Sequence, residues 1–263
     1  MPLVRTGDAE IYVEEHGSGP PVIFAAGLGG SGEFFRPQIE ALKGSHRVVV
    51  FDHRGVGRSG PATPPFSISG LAQDVVRILD ALGIERAAFV GHSTGGAMGQ
   101  WLGATHADRF TRFVLGGTWR RADTRFLEVF KARRAVLTGL GIEAYARHSL
   151  HWLYSRDWFE ASADRIDGIV AASVQAQPPA EIVAARLDAL LASDHAGLMG
   201  PVDPPVLVLY AIDDTLLPPA YSEELIAAVP GCRWHRFDGG GHLFPQTRPD
   251  AYNEVVGRFL AEA

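Results

Sequence analysis

The chain has 263 residues, 46% of them hydrophobic and 21% charged, and its net charge is −6. This is the composition of a globular protein and excludes a disordered, collagen-like or coiled-coil chain. Lysine occurs only at Lys43 and Lys131, and no basic run exceeds two residues (Arg120-Arg121, Arg133-Arg134), so a nucleic-acid-binding stripe is missing.

In chain order, strand candidates occupy 10–15, 21–26 and 47–52. An amphipathic helix follows over 68–83, where Leu71, Val75, Ile78, Leu79 and Leu82 share a face, Ser69 is a candidate cap and Gly83 a stop. Strands at 87–91 and 110–115 flank a helix that begins near Thr94. A strand at 205–210, a helix at 219–229, a strand at 232–237 and a helix from about 248 to 261 close the chain. Several strand candidates are continuous apolar runs, as expected where a parallel sheet is covered on both faces, and the alternation means βαβ units.

Between 118 and 199 that alternation stops. The segment reads as several helices rich in Ala, Leu, Arg and aromatics, broken at Gln177-Pro178-Pro179. Roughly 80 residues without a strand is too long for one crossover. The expected organisation is therefore an α/β core over 1–117 and 200–263 with a helical cap inserted over 118–199.

Two glycine motifs compete for the chemistry. Gly27-Leu28-Gly29-Gly30-Ser31-Gly32 follows a strand and matches GxGxxG, with Asp52 placed 20 residues further on, as in a dinucleotide site. Phe34, Phe35 and Pro37 fit that reading poorly, and Asp52 runs into the glycine-rich loop His53–Ser59, which has no role in ribose binding. The second motif, Gly91-His92-Ser93-Thr94-Gly95, joins a strand directly to a helix. Such a turn forces an unusual backbone at the serine and needs small neighbours, which Gly91, Gly95 and Gly96 supply. Gly99 and Gly103 extend a smooth helix face that can lie close to the sheet. A serine nucleophile needs a base, and the base needs an acid. His242 follows Gly239-Gly240-Gly241 after one strand, and Asp213 and Asp214 follow another. A single His or Asp is most often structural, but the order Ser93, Asp214, His242 is the one this elbow class uses.

Together with Ala26–Gly30, Asp52–Ser59 and Ala211–Pro218, these segments resemble the α/β-hydrolase superfamily over nearly the whole chain. The sequence is most similar to the 3-oxoadipate enol-lactonase-like group and to the aminoacrylate hydrolase of pyrimidine breakdown. The resemblance implies a mostly parallel sheet flanked by helices, and a serine hydrolase, esterase- or lactonase-like, acting on a small ester, lactone or amide-type compound through an acyl-enzyme. It implies Ser93 as nucleophile, His242 as base and Asp214 as orienting acid. The Leu28 and Thr94 amides are implied as the oxyanion hole, with Ala26-Gly27 standing where the family often has His-Gly. No metal or organic cofactor is expected; His148 and His151 lack an apparent third ligand.

Trp119, Arg120 and Arg121 leave the strand at 110–115; Arg120 or Arg121 is the candidate to hold a substrate carboxylate, with Trp119, Trp152, Trp158 and Phe244 as apolar walls. Three other readings stay open at this stage. One is a ligand-binding signalling protein on the same scaffold with slow hydrolysis. Another is a cofactor-free perhydrolase or C–C hydrolase, and the third a dinucleotide oxidoreductase. The single cysteine, Cys232, excludes an intrachain disulfide. No apolar run approaches a membrane span, and the opening MPLVRTGDAE lacks a secretory h-region, so a cytoplasmic location and a small-molecule partner are expected.

Overall fold

The computed structural model describes residues 3–193 and 198–262. The expected core and cap ranges also take in 1, 2, 194–197 and 263, which lie outside the described residues.

Eight strands form one sheet: β1 (Leu3–Thr6), β2 (Ala9–His16), β3 (Pro21–Ala25), β4 (Arg47–Phe51), β5 (Ala87–His92), β6 (Phe110–Gly116), β7 (Val206–Ala211) and β8 (Arg233–Phe237). Their order is β1-β2-β4-β3-β5-β6-β7-β8. The β1–β2 and β2–β4 pairs are antiparallel and the rest parallel. All six residues of β5 and of β7 are buried, as their continuous apolar sequences require.

The helices are α1 (Arg36–Leu42), α2 (Ile68–Ala81), α3 (Thr94–Thr105), α4 (Thr124–Leu140), α5 (Ile142–Leu153), α6 (Arg156–Ser162), α7 (Ile166–Ala176), α8 (Ala180–Leu191), α9 (Pro219–Ala228), α10 (Phe244–Thr247) and α11 (Pro249–Leu260). Alternate strand residues face two cores. Ile23, Val49, Phe89, Phe113 and Val208 pack with α2, α3, α4 and α9. Val22, Val48, Val90, Val114 and Leu207 pack with α1 and α11. The cap of α2 is Ser67, which accepts from the Gly70 amide, rather than Ser69. Its end is as expected: Gly83 sits at φ 64° and the Ile84 amide reaches back to the Leu79 carbonyl, a Schellman closure.

Helices α4 to α8 all lie between β6 and β7, with no strand among the described residues of that stretch. Asp123 opens α4 by accepting from the Phe126 amide, and Ser155 opens α6 by accepting from the Trp158 amide. The Pro178-Pro179 break separates α7 from α8. Among the described residues, no helix is long and apolar enough to cross a membrane.

Candidate active site

Ser93 stands in the turn between β5 and α3 at φ 55° and ψ −113°. It is the one described residue other than glycine with positive φ, a conformation that costs about 1–3 kcal/mol. The turn survives because the residues two places before and after the serine, Gly91 and Gly95, have no side chains. A Cβ on Gly95 would lie 2.0 Å from the Ala25 carbonyl oxygen, and one on Gly91 would lie 2.3 Å from that of Gly95. Along α3, a Cβ on Gly99 would meet Leu115 at 2.4 Å, so the smooth face does press on the sheet. The Ser93 amide is tied to the Gly116 carbonyl at the end of β6, 2.8 Å away.

The structure brings three of the sequence candidates into one chain of contacts. Ser93 Oγ lies 3.0 Å from His242 Nε2, and His242 Nδ1 lies 2.7 Å from Asp214 Oδ2. All three side chains are buried. Asp214 is fixed in turn, because its Oδ1 accepts from the Leu217 amide at 2.8 Å. Asp213 points elsewhere. Its carboxylate accepts from the amides of Gly240 (3.2 Å) and Gly241 (2.9 Å), holding the loop that carries His242. Gly117, at φ 50°, lies close to the neighbouring His92: a Cβ there would sit 3.0 Å from His92 Cε1. His92 packs against His242, Phe34 and Phe244, and burial pushes its imidazole well below the ordinary histidine value, so it stays neutral.

The 27–30 loop lies directly against the serine, since a Cβ on Gly27 would sit 3.6 Å from Ser93 Oγ. Thr94 opens α3, where first-turn amides have no intrahelical acceptor. Three contacts hold the loop. The Asp52 carboxylate accepts from the Gly32 amide (2.8 Å) on one side and from the Arg58 amide and Nε (each 3.0 Å) on the other. The His53 amide donates to the Gly30 carbonyl at 2.7 Å. Arg186, reaching in from α8, donates through Nε to the Leu28 carbonyl at 2.8 Å, and its Nη2 lies 2.8 Å from His53 Nδ1. Burial pushes the Arg186 guanidinium down to about 10 and the His53 imidazole well below its ordinary value. With its oxygens committed to Gly32 and Arg58, Asp52 braces this loop, and the sequence likeness to a dinucleotide site has a structural cause instead.

A cavity of about 490 Å³ opens above Ser93 and His242, walled by the 26–31 loop and by residues of α4, α5 and α7. None of the six residues expected at the substrate pocket lines it. Trp119 is fully buried in the core, 4.8 Å from the Phe126 ring, with its carbonyl held by Gln100 Nε2 at 2.8 Å. Arg121 is 59% exposed and faces Glu224, and Arg120 beside it also lies off the lining. Trp152 donates to His148 Nε2 (2.9 Å), Trp158 stacks on Tyr154 at 3.6 Å, and Phe244 is packed between His92, Phe237 and Tyr252. The chain leaving β6 turns Trp119 inward, so the residues after it miss the cavity. The walls instead include Phe34, Phe130, Arg133, Tyr145 and Ser149, which the sequence reading missed. His151 stacks on Phe159, and no group of three His, Cys, Asp or Glu among the described residues is disposed to hold a metal.

A strained serine at a strand-to-helix turn beside a buried histidine and aspartate defines a fold-and-site class, and the family comparison agrees. The model of the α/β hydrolase fold matches residues 20–249, and the chain belongs to that family. It is a hydrolase. A protein of Azorhizobium caulinodans named "Putative carbamate hydrolase RutD" is 36% identical over 262 residues, covering 100% of this chain and 99% of its own. A relative of the same name from Caulobacter sp. (strain K31) is 38% identical, over 95% of this chain and 96% of that protein. Among solved structures, the enol-lactonase of Burkholderia xenovorans LB400 superposes with a TM-score of 0.86 at 30% identity, covering 97% of this chain and 98% of that one.

Proposed function

We propose that the protein hydrolyses a small acyl compound through a covalent acyl-enzyme on Ser93. The observation that carries this is the Ser93–His242–Asp214 contact chain, 3.0 and 2.7 Å long, at the floor of the cavity. Ser93 Oγ attacks the carbonyl carbon and gives its proton to His242 Nε2. Asp214 holds the imidazole in the tautomer that can accept it and stabilises the imidazolium that forms. The amides of Leu28 and Thr94 receive the charge that develops on the carbonyl oxygen. As the tetrahedral intermediate collapses, the leaving group departs with the proton from His242. Water, deprotonated by the same histidine, then cleaves the acyl-enzyme and restores the serine.

The scissile bond in this reading is an ester, lactone or amide-type bond, a class that includes the bonds named for the lactonase and carbamate-hydrolase relatives. The segment 118–199 acts as the cap that keeps bulk water from the cavity, in a protein that works in the cytoplasm. The test is the pre-steady-state release of nitrophenol from p-nitrophenyl acetate. A burst of about one equivalent, with an acetyl adduct located on Ser93 by mass spectrometry, is expected. Turnover that persists in Ser93→Ala contradicts the reading. A panel of esters, lactones and N-acyl compounds then identifies the bond.

A further inference from the structure

Among the described residues that line the cavity, one charge has no counter-charge from the protein. Arg133, on α4, is only 4% exposed and lines the wall above Ser93. Its Nη2 donates to the Tyr145 hydroxyl (3.2 Å) and to Ser149 Oγ (3.3 Å), both neutral and both on α5. The rings of Phe130 and Tyr145 lie 5.4 and 5.5 Å from the guanidinium carbon. Among the described residues, no Asp or Glu forms an ion pair with it.

Two other arginines, half-buried Arg54 and exposed Arg58, have carboxylate partners. Arg54 grips both carboxylate oxygens of Asp74 at 2.7 Å, and Arg58 binds Asp52 at 3.0 Å as well as Glu14. Arg186 is also buried without a carboxylate, but it is committed to the Leu28 carbonyl and His53 and lies off the cavity lining. A guanidinium taken out of water without a counter-charge is expensive, and two neutral hydroxyls do not supply one. Nε and Nη1 of Arg133 have no hydrogen-bond partner among the described residues; Nε is fully buried, so Nη1 is the nitrogen left to meet a ligand. The Tyr145 hydroxyl accepts from Arg133 and so keeps its own proton free to donate, whereas Ser149 gives its proton to the Tyr145 carbonyl at 2.7 Å. The one carboxylate on the lining, Glu33, is exposed and already paired with Arg36. Much of the remaining wall is apolar, including Phe34, Leu150, Ile169 and Leu216.

We propose that Arg133, with the Tyr145 hydroxyl, seats a carboxylate carried by the substrate at the end away from the reacting carbonyl. The helices α4 and α5 hold the anion, while the sheet edge holds the carbonyl at Ser93. The substrate class is an acyl compound with two functional ends, a hydrolysable carbonyl and a free carboxylate. This deepens the hydrolase reading and rests on it for the reacting end only.

Two measurements separate the subsite from the chemistry. The first compares mono-p-nitrophenyl glutarate with its methyl ester. The wild-type enzyme is expected to favour the free acid in kcat/KM, and Arg133→Met to lower the acid-to-ester ratio roughly tenfold to a hundredfold. Tyr145→Phe, a milder change to the wall, should lower the same ratio by a smaller factor, and Arg133→Lys should restore part of it. A wild-type preference for the methyl ester, or a ratio unmoved by these substitutions, overturns the proposal. The second uses Ser93→Ala, which cannot turn over, and calorimetric binding of monomethyl glutarate against dimethyl glutarate. Tighter binding of the acid, lost when Arg133→Met is added, supports the subsite even if Ser93 proves not to be the nucleophile. Equal binding of the two overturns the subsite while leaving the chemistry at Ser93 standing.

Discussion

At the carboxyl edge of the sheet, the groups beside Ser93 are held by partners from separate elements. His242 leans on Asp214, Asp214 on the Leu217 amide, and the loop before His242 on Asp213. The helices on the other side of the cavity present mainly apolar side chains and one buried arginine with no carboxylate. The first region pairs its polar groups within the protein; in the second, Arg133 has no carboxylate partner among the described residues, and the proposed substrate carboxylate would supply one. On the proposed reading, reaction chemistry therefore belongs to the sheet edge and selection to the helices. A sharp division of this kind predicts that substitutions at the edge act on kcat for every substrate, while substitutions in the helices change which substrate is preferred.

The largest effect after loss of the serine itself is expected from Asp214→Asn. Removing the orienting carboxylate leaves the histidine in the wrong tautomer and should lower kcat by about 10⁴, read by steady-state kinetics on p-nitrophenyl acetate. Arg186 tests the comparison from the other direction, because it belongs to helix α8 yet serves the sheet edge. Arg186→Met frees the Leu28 carbonyl and loosens the loop against Ser93. A fall in kcat of tenfold or more is expected with neutral and anionic substrates alike, in protein whose circular dichroism is unchanged. A change in substrate preference instead would mean that the division between the two regions is drawn in the wrong place.

Acid should act on the whole fold. His92 and His53 are buried and held well below their ordinary values, so below about pH 6.5 the unfolded chain binds protons that the native protein refuses. Stability is then full above that pH and falls as pH drops, by about 1.4 kcal/mol per pH unit for each histidine. Urea unfolding at pH 7.5 and 5.5 measures this, and His92→Gln should flatten the slope. The smallest kinetic effect is expected at Asp213→Asn. That carboxylate contacts two loop amides and not the imidazole, so kcat should fall only severalfold. A loss matching that of Asp214→Asn would assign the orienting role to the wrong aspartate.

The sheet edge was largely legible in the sequence because its demands are local. A serine forced into positive φ needs glycines at fixed offsets, and side chains that follow strands are delivered to the same edge. Strand β1 and helix α1 were not legible: four residues on the sheet edge and seven with Pro37 in the first turn carry too little periodicity to stand out. The helical wall was illegible for a different reason. In the pair Arg133-Arg134, Arg134 is half-exposed and bound to Asp188, while Arg133 is buried. Nothing in a run of two arginines says which of them the tertiary packing will bury. Arg120 and Arg121 were the natural guess from their place after β6, but Trp119 is drawn into the core and carries the segment past the cavity.

The central claim is that Ser93 is a nucleophile activated by His242. A fluorophosphonate probe, followed by intact-mass and peptide analysis, tests it most directly. The account predicts one adduct per chain, on Ser93, absent in Ser93→Ala and strongly slowed in a His242→Ala variant. Labelling at another residue, or labelling that persists in Ser93→Ala, would contradict it.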